Sequence, residues 1–206
     1  MVDWDDDTPQ LRNNLTRVFG RVRDEALRRE PLSIEVARGW QLDIMQGLVP
    51  PDPKLVGRFR GEAGLETYNV KVGDHPGVRA PDVPVELAGF DRKIRMALAE
   101  LDLLIKPGEE LTADSLAAII ALCAWAHSEW VRIHPFANAN GRTARLWVNS
   151  IAMRYGLPPF LRIRPRPGGR YGRASAAAMQ GDWRPTVALF HQIYIESLAT
   201  QIAGPE

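Results

Sequence analysis

The sequence predicts an all-α fold, a helical bundle that carries one small β-hairpin. Apolar residues recur at helical spacing through most of the 206 residues. Only one long stretch, residues 57–84, loses this periodicity; it is rich in glycine and proline and holds a short alternating segment, Tyr68 to Val72. Residues 116–126 are almost all apolar, which predicts a helix buried at the centre of the bundle.

Composition narrows the classes of partner. Hydrophobic residues make up 45% of the chain, enough for a sizeable core, and 26 basic against 25 acidic residues leave a net charge of +1. We therefore expect neither a nucleic-acid nor a membrane partner. The single cysteine, Cys123, excludes an intramolecular disulfide framework. The acidic start, MVDWDDDTPQLRNN, lacks the basic and apolar regions of a signal peptide, so we expect a cytoplasmic location.

Two helices are predicted in the first quarter of the chain. The segment TPQLRNNLTRVFGRVRDEALRRE has Thr8 as a candidate N-cap and Pro9 at the first helical position. The segment LSIEVARGWQLDIMQGL follows, with Ser33 as its candidate cap. We expect these helices to form an N-terminal extension, residues 1–54, which packs as a single compact unit with a core domain, residues 55–206.

The remaining elements follow the non-helical stretch, which we interpret as a β-hairpin or extended flap. The helix VELAGFDRKIRMALAELDLLI comes first, and LTADSLAAIIALCAWAHSEWVRI then delivers His134 at its C-terminal end. After the loop PFANAN, the helix GRTARLWVNSIAMRYG has an apolar stripe at helical spacing. An arginine-rich loop, a short helix around ASAAAMQ and a last helix, RPTVALFHQIYIESLATQI, complete the chain.

The stretch HPFANANGRTAR places Arg142 and Arg145 at the start of a helix. Unpaired N–H groups and the helix dipole already make that end positive, so an anion is needed to offset the added charge. Gly141 lets an oxyanion approach the backbone, and guanidinium groups match phosphate oxygens. The two arginines lie off the apolar stripe and one turn apart. The pattern predicts a site for a di- or triphosphate.

His134 precedes this predicted phosphate site by one tight turn. An imidazole near neutral pH can act as a general base towards a hydroxyl. A base beside an anion site is typical of phosphoryl or nucleotidyl transfer. The simpler alternative is a surface histidine with solvated arginines, and the combination of His134 with the arginines favours the catalytic interpretation.

These residues form a recognisable motif. IHPFANANGRTARLWVN resembles the signature of the Fic (Fic/Doc) family, H-P-F-x-[D/E]-[G/A]-N-[G/K]-R-x-x-R. GRFR, YNVKVG and YGRASAAAMQGDWRPTVALF resemble the same family, so that the resemblance runs roughly from residue 55 to residue 195. It implies a Fic-like helical bundle that transfers AMP, or less often another nucleotide moiety or phosphate, from a nucleotide to a protein hydroxyl.

The resemblance also assigns roles by motif position. His134 would deprotonate the Ser, Thr or Tyr hydroxyl of a target protein, and Phe136 would anchor the loop in the core. ATP would be the co-substrate. The residues that hold its phosphates would be Asn140, Gly141, Arg142 and Arg145.

Two further roles lie at the edge of the implied site. Tyr171 would lie near the nucleobase. The flap would dock the target by adding it as an extra strand. The flap residues concerned are Val70, Lys71 and Val72.

Two motif positions depart from the family pattern. Asn138 stands where the family has an acidic Mg²⁺ ligand, and an amide lacks the charge that this hard cation favours, so we expect weak Mg²⁺ binding. Three interpretations stay open: a slow or metal-poor transferase, an enzyme of altered donor or reaction such as a phosphotransferase, and a catalytically weakened nucleotide-binding or interaction protein. Ala139 replaces the usual glycine, whereas Gly141, instead of lysine, favours nucleotide transfer.

Many family members carry an inhibitory helix with the pattern [S/T]-x-x-x-E-[G/N], whose glutamate pairs with the second motif arginine. Glu35 is the candidate here, although Pro31 and Val36 occupy the flanking positions. An exposed helix carboxylate is the simpler interpretation, and a separate inhibitor protein is the other alternative.

A local basic cluster follows the motif helix. We interpret it as a solvated loop; the alternatives are a surface for an acidic target and, after it, one for nucleic acid. Its members are Arg162, Arg164, Arg166, Arg170 and Arg173.

Overall fold

The structure, a computed structural model, describes residues 6–203. Within that range it contains seven α-helices, two short 3₁₀ turns and one two-stranded antiparallel sheet. The prediction of an all-α fold with a small hairpin is confirmed. The elements are α1 (Pro9–Leu27), α2 (Ile34–Met45), β1 (Lys71–Val72), β2 (His75–Pro76), α3 (Val83–Leu104), α4 (Ala113–Ile133), α5 (Asn140–Arg154), α6 (Arg170–Met179) and α7 (Arg184–Ala203).

Helices α1 and α2 begin at the caps that the sequence predicts. The Thr8 hydroxyl accepts a hydrogen bond from the backbone N–H of Leu11, and the Ser33 hydroxyl accepts one from Val36. Each bond satisfies one of the N–H groups that a helix start leaves without an intrahelical partner. One apolar core extends from Leu11 in α1 to residues of α7, so both helices contribute to the same core as the rest of the bundle.

Helix α4 forms the centre of this core and packs against α3, α5, α6 and α7. By length and composition alone, α4 could span a membrane. However, 61% of its most apolar 18-residue segment is buried inside the bundle, as in a core helix. Cys123, in its middle, is fully buried. Ala117 and Ala118 are exposed, so burial begins only at Ile119 and not at residue 116.

An aromatic cluster joins four helices and sets the position of α5. Trp147 of α5 packs against Trp40 of α2 and Phe90 of α3, with ring centroids 5.2 Å apart in each pair. Trp130 of α4 lies 5.6 Å from Trp147 and donates a hydrogen bond from its indole N–H to the Thr143 hydroxyl at 2.8 Å. Because Thr143 lies in the first turn of α5, the cluster fixes the start of that helix relative to the end of α4.

The hairpin is smaller than the alternating segment suggests. Val72 pairs with His75 and Lys71 with Pro76, so each strand contains two residues. A glycine-containing loop precedes β1, and a segment with three prolines, PGVRAPDVP, starts at Pro76 and offers fewer N–H groups to extend the ladder. A hydrogen bond from the Gly77 N–H to the Val70 carbonyl, at 3.1 Å, closes the base of the hairpin.

Candidate active site

His134 ends α4 in a left-handed conformation, with φ 53° and ψ 57°. This conformation is uncommon for a residue other than glycine, and it turns the chain sharply into the following loop. The His134 Nδ1 atom lies 3.0 Å from the Val131 carbonyl oxygen. A carbonyl only accepts, so Nδ1 carries the proton and donates, and Nε2 of the neutral ring keeps its lone pair. Burial lowers the pKa of His134 to about 4, and the ring is therefore neutral at pH 7.

Arg60 holds the backbone at this turn. Its side chain is fully buried and donates to the carbonyl oxygens of His134 at 2.7 Å and Ile133 at 2.8 Å. A third bond, of 3.4 Å, reaches the Tyr68 carbonyl on the way to the hairpin. Burial lowers the pKa of Arg60 to about 10, so the group stays charged at neutral pH and complements the negative end of α4. Arg60 thus ties the hairpin segment to the end of α4.

The loop after His134 is locked at both of its ends. Phe136 is fully buried, with its ring centroid 4.9 Å from that of Phe59. The Asn140 side chain accepts from the Phe136 N–H and donates to the Phe136 carbonyl, at 2.8 Å each. Both ends of the Asn140 amide are therefore used within the loop. What Asn140 offers an anion is its backbone N–H, which has no intrahelical partner at this position.

Helix α5 begins without a side-chain cap. Its N-cap residue, Ala139, has φ 69° and no polar side chain. A glycine would adopt this left-handed conformation at lower cost, which explains the expectation of glycine at this position. The uncapped start leaves first-turn N–H groups available to a ligand, and Gly141 adds no side chain to obstruct it.

His134 and the start of α5 face one cleft of about 530 Å³. Hairpin residues Val72, Gly73 and His75 form one side of it, and the loop before α6 forms another. Val70 and Lys71 belong to the hairpin but do not line the cleft. The predicted site residues that do line it are His134, Asn138, Asn140, Gly141, Arg142, Arg145, Tyr171 and Val72.

Arg145 is held in the cleft wall by two neighbours. Its Nε and Nη2 atoms donate to the Ile163 carbonyl at 3.2 and 2.8 Å, and Nη1 donates to the Tyr171 hydroxyl at 3.3 Å. The Tyr171 oxygen also lies 2.6 Å from Nε2 of the buried His127. Burial lowers the pKa of His127 to about 3, so this imidazole is neutral, and its Nε2 atom can accept a hydrogen bond that the Tyr171 hydroxyl donates. A chain of bonds thus runs from Arg145 through Tyr171 to His127.

A family model described as the Fic/DOC family matches residues 31–152. The chain belongs to the Fic/DOC family. The match confirms the resemblance and includes α2, which lies before the expected core boundary at residue 55.

Curated relatives and a solved structure agree with the Fic/DOC assignment. The protein adenylyltransferase Fic of Culex quinquefasciatus is 32% identical over 136 residues, which cover 66% of this chain and 23% of that protein. The protein of the same name from Nematostella vectensis is 44% identical over 135 residues, covering 66% and 26%. The chain therefore spans about a quarter of the length of these relatives. A Fic domain-containing signaling protein from Bacteroides thetaiotaomicron superimposes with a TM-score of 0.69 at 19% identity, over 92% of this chain and 69% of that one, and so shares the fold.

Asn138, at the acidic position of the Fic/DOC motif, does not fit a magnesium site. Its Oδ1 atom accepts from the Ala139 N–H at 2.5 Å and from Arg142 Nη2 at 3.0 Å. The only oxygen of the side chain is thus already bonded, and one of its donors is a cation that would repel a metal ion. Among residues 6–203, no group of three or more His, Cys, Asp or Glu side chains lies together where a metal ion could be held. The described residues that line the cleft include no Asp or Glu, so they supply none of the carboxylates that Mg²⁺ favours.

The structure does not bring Glu35, the candidate inhibitory residue, to Arg145. Glu35 lies in the first turn of α2, and its side chain is 64% exposed. Its carboxylate pairs with Arg38 at 2.7 Å, and Arg38 also pairs with Glu62 at 2.6 Å. Glu35 is therefore part of an ion-pair network with Arg38 and Glu62.

Several residues of the Fic/DOC cleft escaped the sequence interpretation. Arg164 and Arg166, from the loop expected to be solvated, line the cleft together with His75. The high proportion of arginine in that loop was the sequence feature that could have indicated their place in the cleft. The roles of the Ile163 carbonyl and of His127 depend on packing and left no local signal.

Proposed function

We propose that this Fic/DOC chain is a protein nucleotidyltransferase that moves AMP from ATP to a Ser, Thr or Tyr hydroxyl of a target protein. The observation that carries the proposal is the shared cleft, in which neutral His134 faces the uncapped start of α5 and the guanidinium groups of Arg142 and Arg145. The curated relatives are named protein adenylyltransferase Fic, which supports adenylyl as the group transferred.

The chemistry follows from these groups. The acceptor hydroxyl loses its proton to His134 Nε2 while its oxygen forms a bond to the α-phosphorus of ATP. The bond from that phosphorus to the bridging oxygen breaks, and diphosphate leaves. Arg142, Arg145 and the backbone N–H groups of α5 stabilise the negative charge on the phosphates. The Nδ1 hydrogen bond to Val131 keeps the imidazole in the tautomer that can accept the proton.

The hairpin is the proposed docking element for the target. Residues Val70 to Val72 lead into the turn at the cleft mouth, and each strand of the hairpin is only two residues long. An extended target segment can add to such an edge through backbone hydrogen bonds. Its hydroxyl residue would then enter beside His134.

A nucleotide-binding protein of weakened activity is the second candidate, favoured by the bonded state of Asn138. A phosphotransferase is the third. The three differ in what they do with labelled nucleotide, because the first transfers the α-phosphate, the second transfers nothing and the third transfers the γ-phosphate.

The experiment incubates the chain and a protein lysate with ATP labelled at the α- or the γ-phosphate. We expect label from the α-position on a lysate protein or on the chain itself, and loss of that label in His134→Ala with nucleotide binding retained. If neither the wild type nor Asn138→Asp transfers label from either position, the transferase proposal fails. Mass spectra of the labelled proteins identify both the transferred group and the acceptor residue.

A further inference from the structure

The charged side chains among the described lining of the cleft are all positive. Four arginines line it, two on α5 and two on the loop before α6, and no aspartate or glutamate occurs among its described lining residues. Arg166 is exposed, whereas Arg145 is 4% exposed, so the cleft presents one cation at its surface and one in its wall. The positive charge of Arg166 also acts across the cleft, since it contributes to the lowered pKa of both His127 and His134.

The Asn138 amide adds to this asymmetry. Because Oδ1 is bonded to Ala139 and Arg142, the polar group that remains for a ligand is the amide NH₂, which can only donate. A donor suits a phosphate oxygen and repels a metal ion. At the position where a carboxylate would attract a divalent cation, this chain therefore presents a group that binds anions.

We infer that the cleft binds nucleotide polyphosphate as its metal-free anion, with Arg166 supplying positive charge that a bound Mg²⁺ would otherwise supply. The inference rests on the proposed nucleotide site and specifies the form of nucleotide that the site takes. Arginine is suited to this task because its planar group stays charged and donates to two phosphate oxygens at once. Arg164, whose Nε atom lies 3.4 Å from an Asp7 carboxylate oxygen, has part of its charge balanced already, so Arg166 is the loop cation assigned to the ligand.

The test measures binding by titration calorimetry with α,β-methylene-ATP, an analogue in which the α–β bridge cannot be cleaved by transfer. The Kd is determined in EDTA and again with excess Mg²⁺. We expect the wild-type Kd in Mg²⁺ to be equal to or higher than the Kd in EDTA, because metal bound to the free nucleotide must be released and no protein group compensates for that loss. A Kd that is more than about tenfold lower with Mg²⁺ would overturn the inference and leave the nucleotide site intact. Absence of binding in both conditions would overturn the inference and the proposed function together.

Three variants sharpen the result. Asn138→Asp places a negative charge in the cleft and should weaken binding in EDTA by about tenfold while Mg²⁺ restores it. Arg166→Gln should weaken binding in EDTA by about three- to tenfold, and Arg173→Gln, an exposed arginine of α6 outside the cleft lining, is the matched control that should not. Circular dichroism checks that each variant is folded. Equal effects of the Arg166 and Arg173 substitutions would contradict the assigned role of the loop, even if Asn138→Asp were to unfold.

Discussion

Arg60 donates a hydrogen bond to the backbone carbonyl of His134 across 2.7 Å, from a side chain that is completely buried. Its planar group bonds to the Ile133 carbonyl as well, so the two carbonyls before and within the sharp turn are fixed by a single residue. The position of the proposed base is thus set by a residue 74 positions earlier in the chain.

Arg60→Lys should therefore reduce catalysis more than it reduces nucleotide binding. A lysine retains the charge but cannot reach all three carbonyls with one planar group, and a buried carbonyl left without a donor costs about 1–3 kcal/mol. We expect a lower free energy of unfolding and a loss of labelling of at least about tenfold, with the Kd for nucleotide little changed. Arg58→Lys, an exposed neighbour that bonds to the Ala63 carbonyl, is the control. Equal labelling by both variants would contradict the positioning role.

Gly77→Ala tests how closely the hairpin lies over His134. A Cβ at residue 77 would lie 2.9 Å from the His134 Cβ and 3.1 Å from Arg60 Nη2, so the hairpin or the histidine must shift. We expect labelling to fall at least about tenfold, because small misplacements of reacting groups are costly. Gly89→Ala in α3, where a Cβ meets nothing within 4 Å, should leave labelling unchanged and stabilise the helix slightly. Wild-type labelling by the Gly77 variant would show that the hairpin moves freely.

Tyr171→Phe removes the hydroxyl that links Arg145 to His127. The loss of these buried bonds should cost about 1–2 kcal/mol of stability. If Arg145, one of the residues that the family motif assigns to the phosphates, holds the γ-phosphate, the preference for ATP over ADP should also fall severalfold. Tyr155→Phe loses comparable bonds, to the Leu98 carbonyl and the Asp102 carboxylate, outside the cleft. It should cost stability without changing that preference, and calorimetric Kd values for both nucleotides decide between the two outcomes.

Because His127 is buried and neutral, we expect the free energy of unfolding to decrease in acid. The pKa of His127 is about 3 in the folded chain against 6.5 ordinarily, so between these values the unfolded chain binds the additional proton. Stability is therefore full above pH 6.5 and decreases as the pH falls, by about 2 kcal/mol from pH 7.5 to 5.0 for this one group. Urea unfolding at both pH values measures it, and His127→Phe should show a pH dependence smaller by that amount. An unchanged dependence would mean that His127 takes up its proton in the folded state.

Glu35→Gln should leave labelling at the wild-type level. The Glu35 carboxylate pairs with Arg38 on an exposed helix face, while Arg145 is bonded to Ile163 and Tyr171. Loss of an exposed pair should change stability by less than about 1 kcal/mol. The control is Glu100→Gln, which changes an exposed glutamate of α3. A several-fold rise in self-labelling in the Glu35 variant that is absent in this control would restore Glu35 as an inhibitory residue.

Local sequence signals predicted the fold well because helices depend on local information. Thr8 and Ser33 act as caps because a hydroxyl before an apolar-periodic segment satisfies a free N–H regardless of the rest of the chain. The hairpin was predicted with strands that are too long, since strand length depends on pairing partners that periodicity does not reveal. The same limit applies to α4, in which Ala117 and Ala118 stay exposed although they belong to the apolar run.

The candidate site was predictable only where one continuous motif carries it. His134, Arg142 and Arg145 lie within twelve residues, and their spacing places them around one helix start. By contrast, Arg60 and Ile163 act on that motif from distant segments, through backbone carbonyls that every residue possesses. Residue type alone cannot identify such partners, because the fold selects them.

The burial of Cys123 makes the chain convenient for site-directed labelling. The Cys123 thiol, in α4, contacts the Val148 carbonyl of α5. Burial raises the pKa of the thiol, so the reactive thiolate form is suppressed. A cysteine introduced at Asp74, whose side chain is 99% exposed at the hairpin turn, would thus be the reactive thiol in an otherwise unaltered chain. A fluorophore attached there would report whether a polypeptide docks at the hairpin, with Asp74 the only residue replaced.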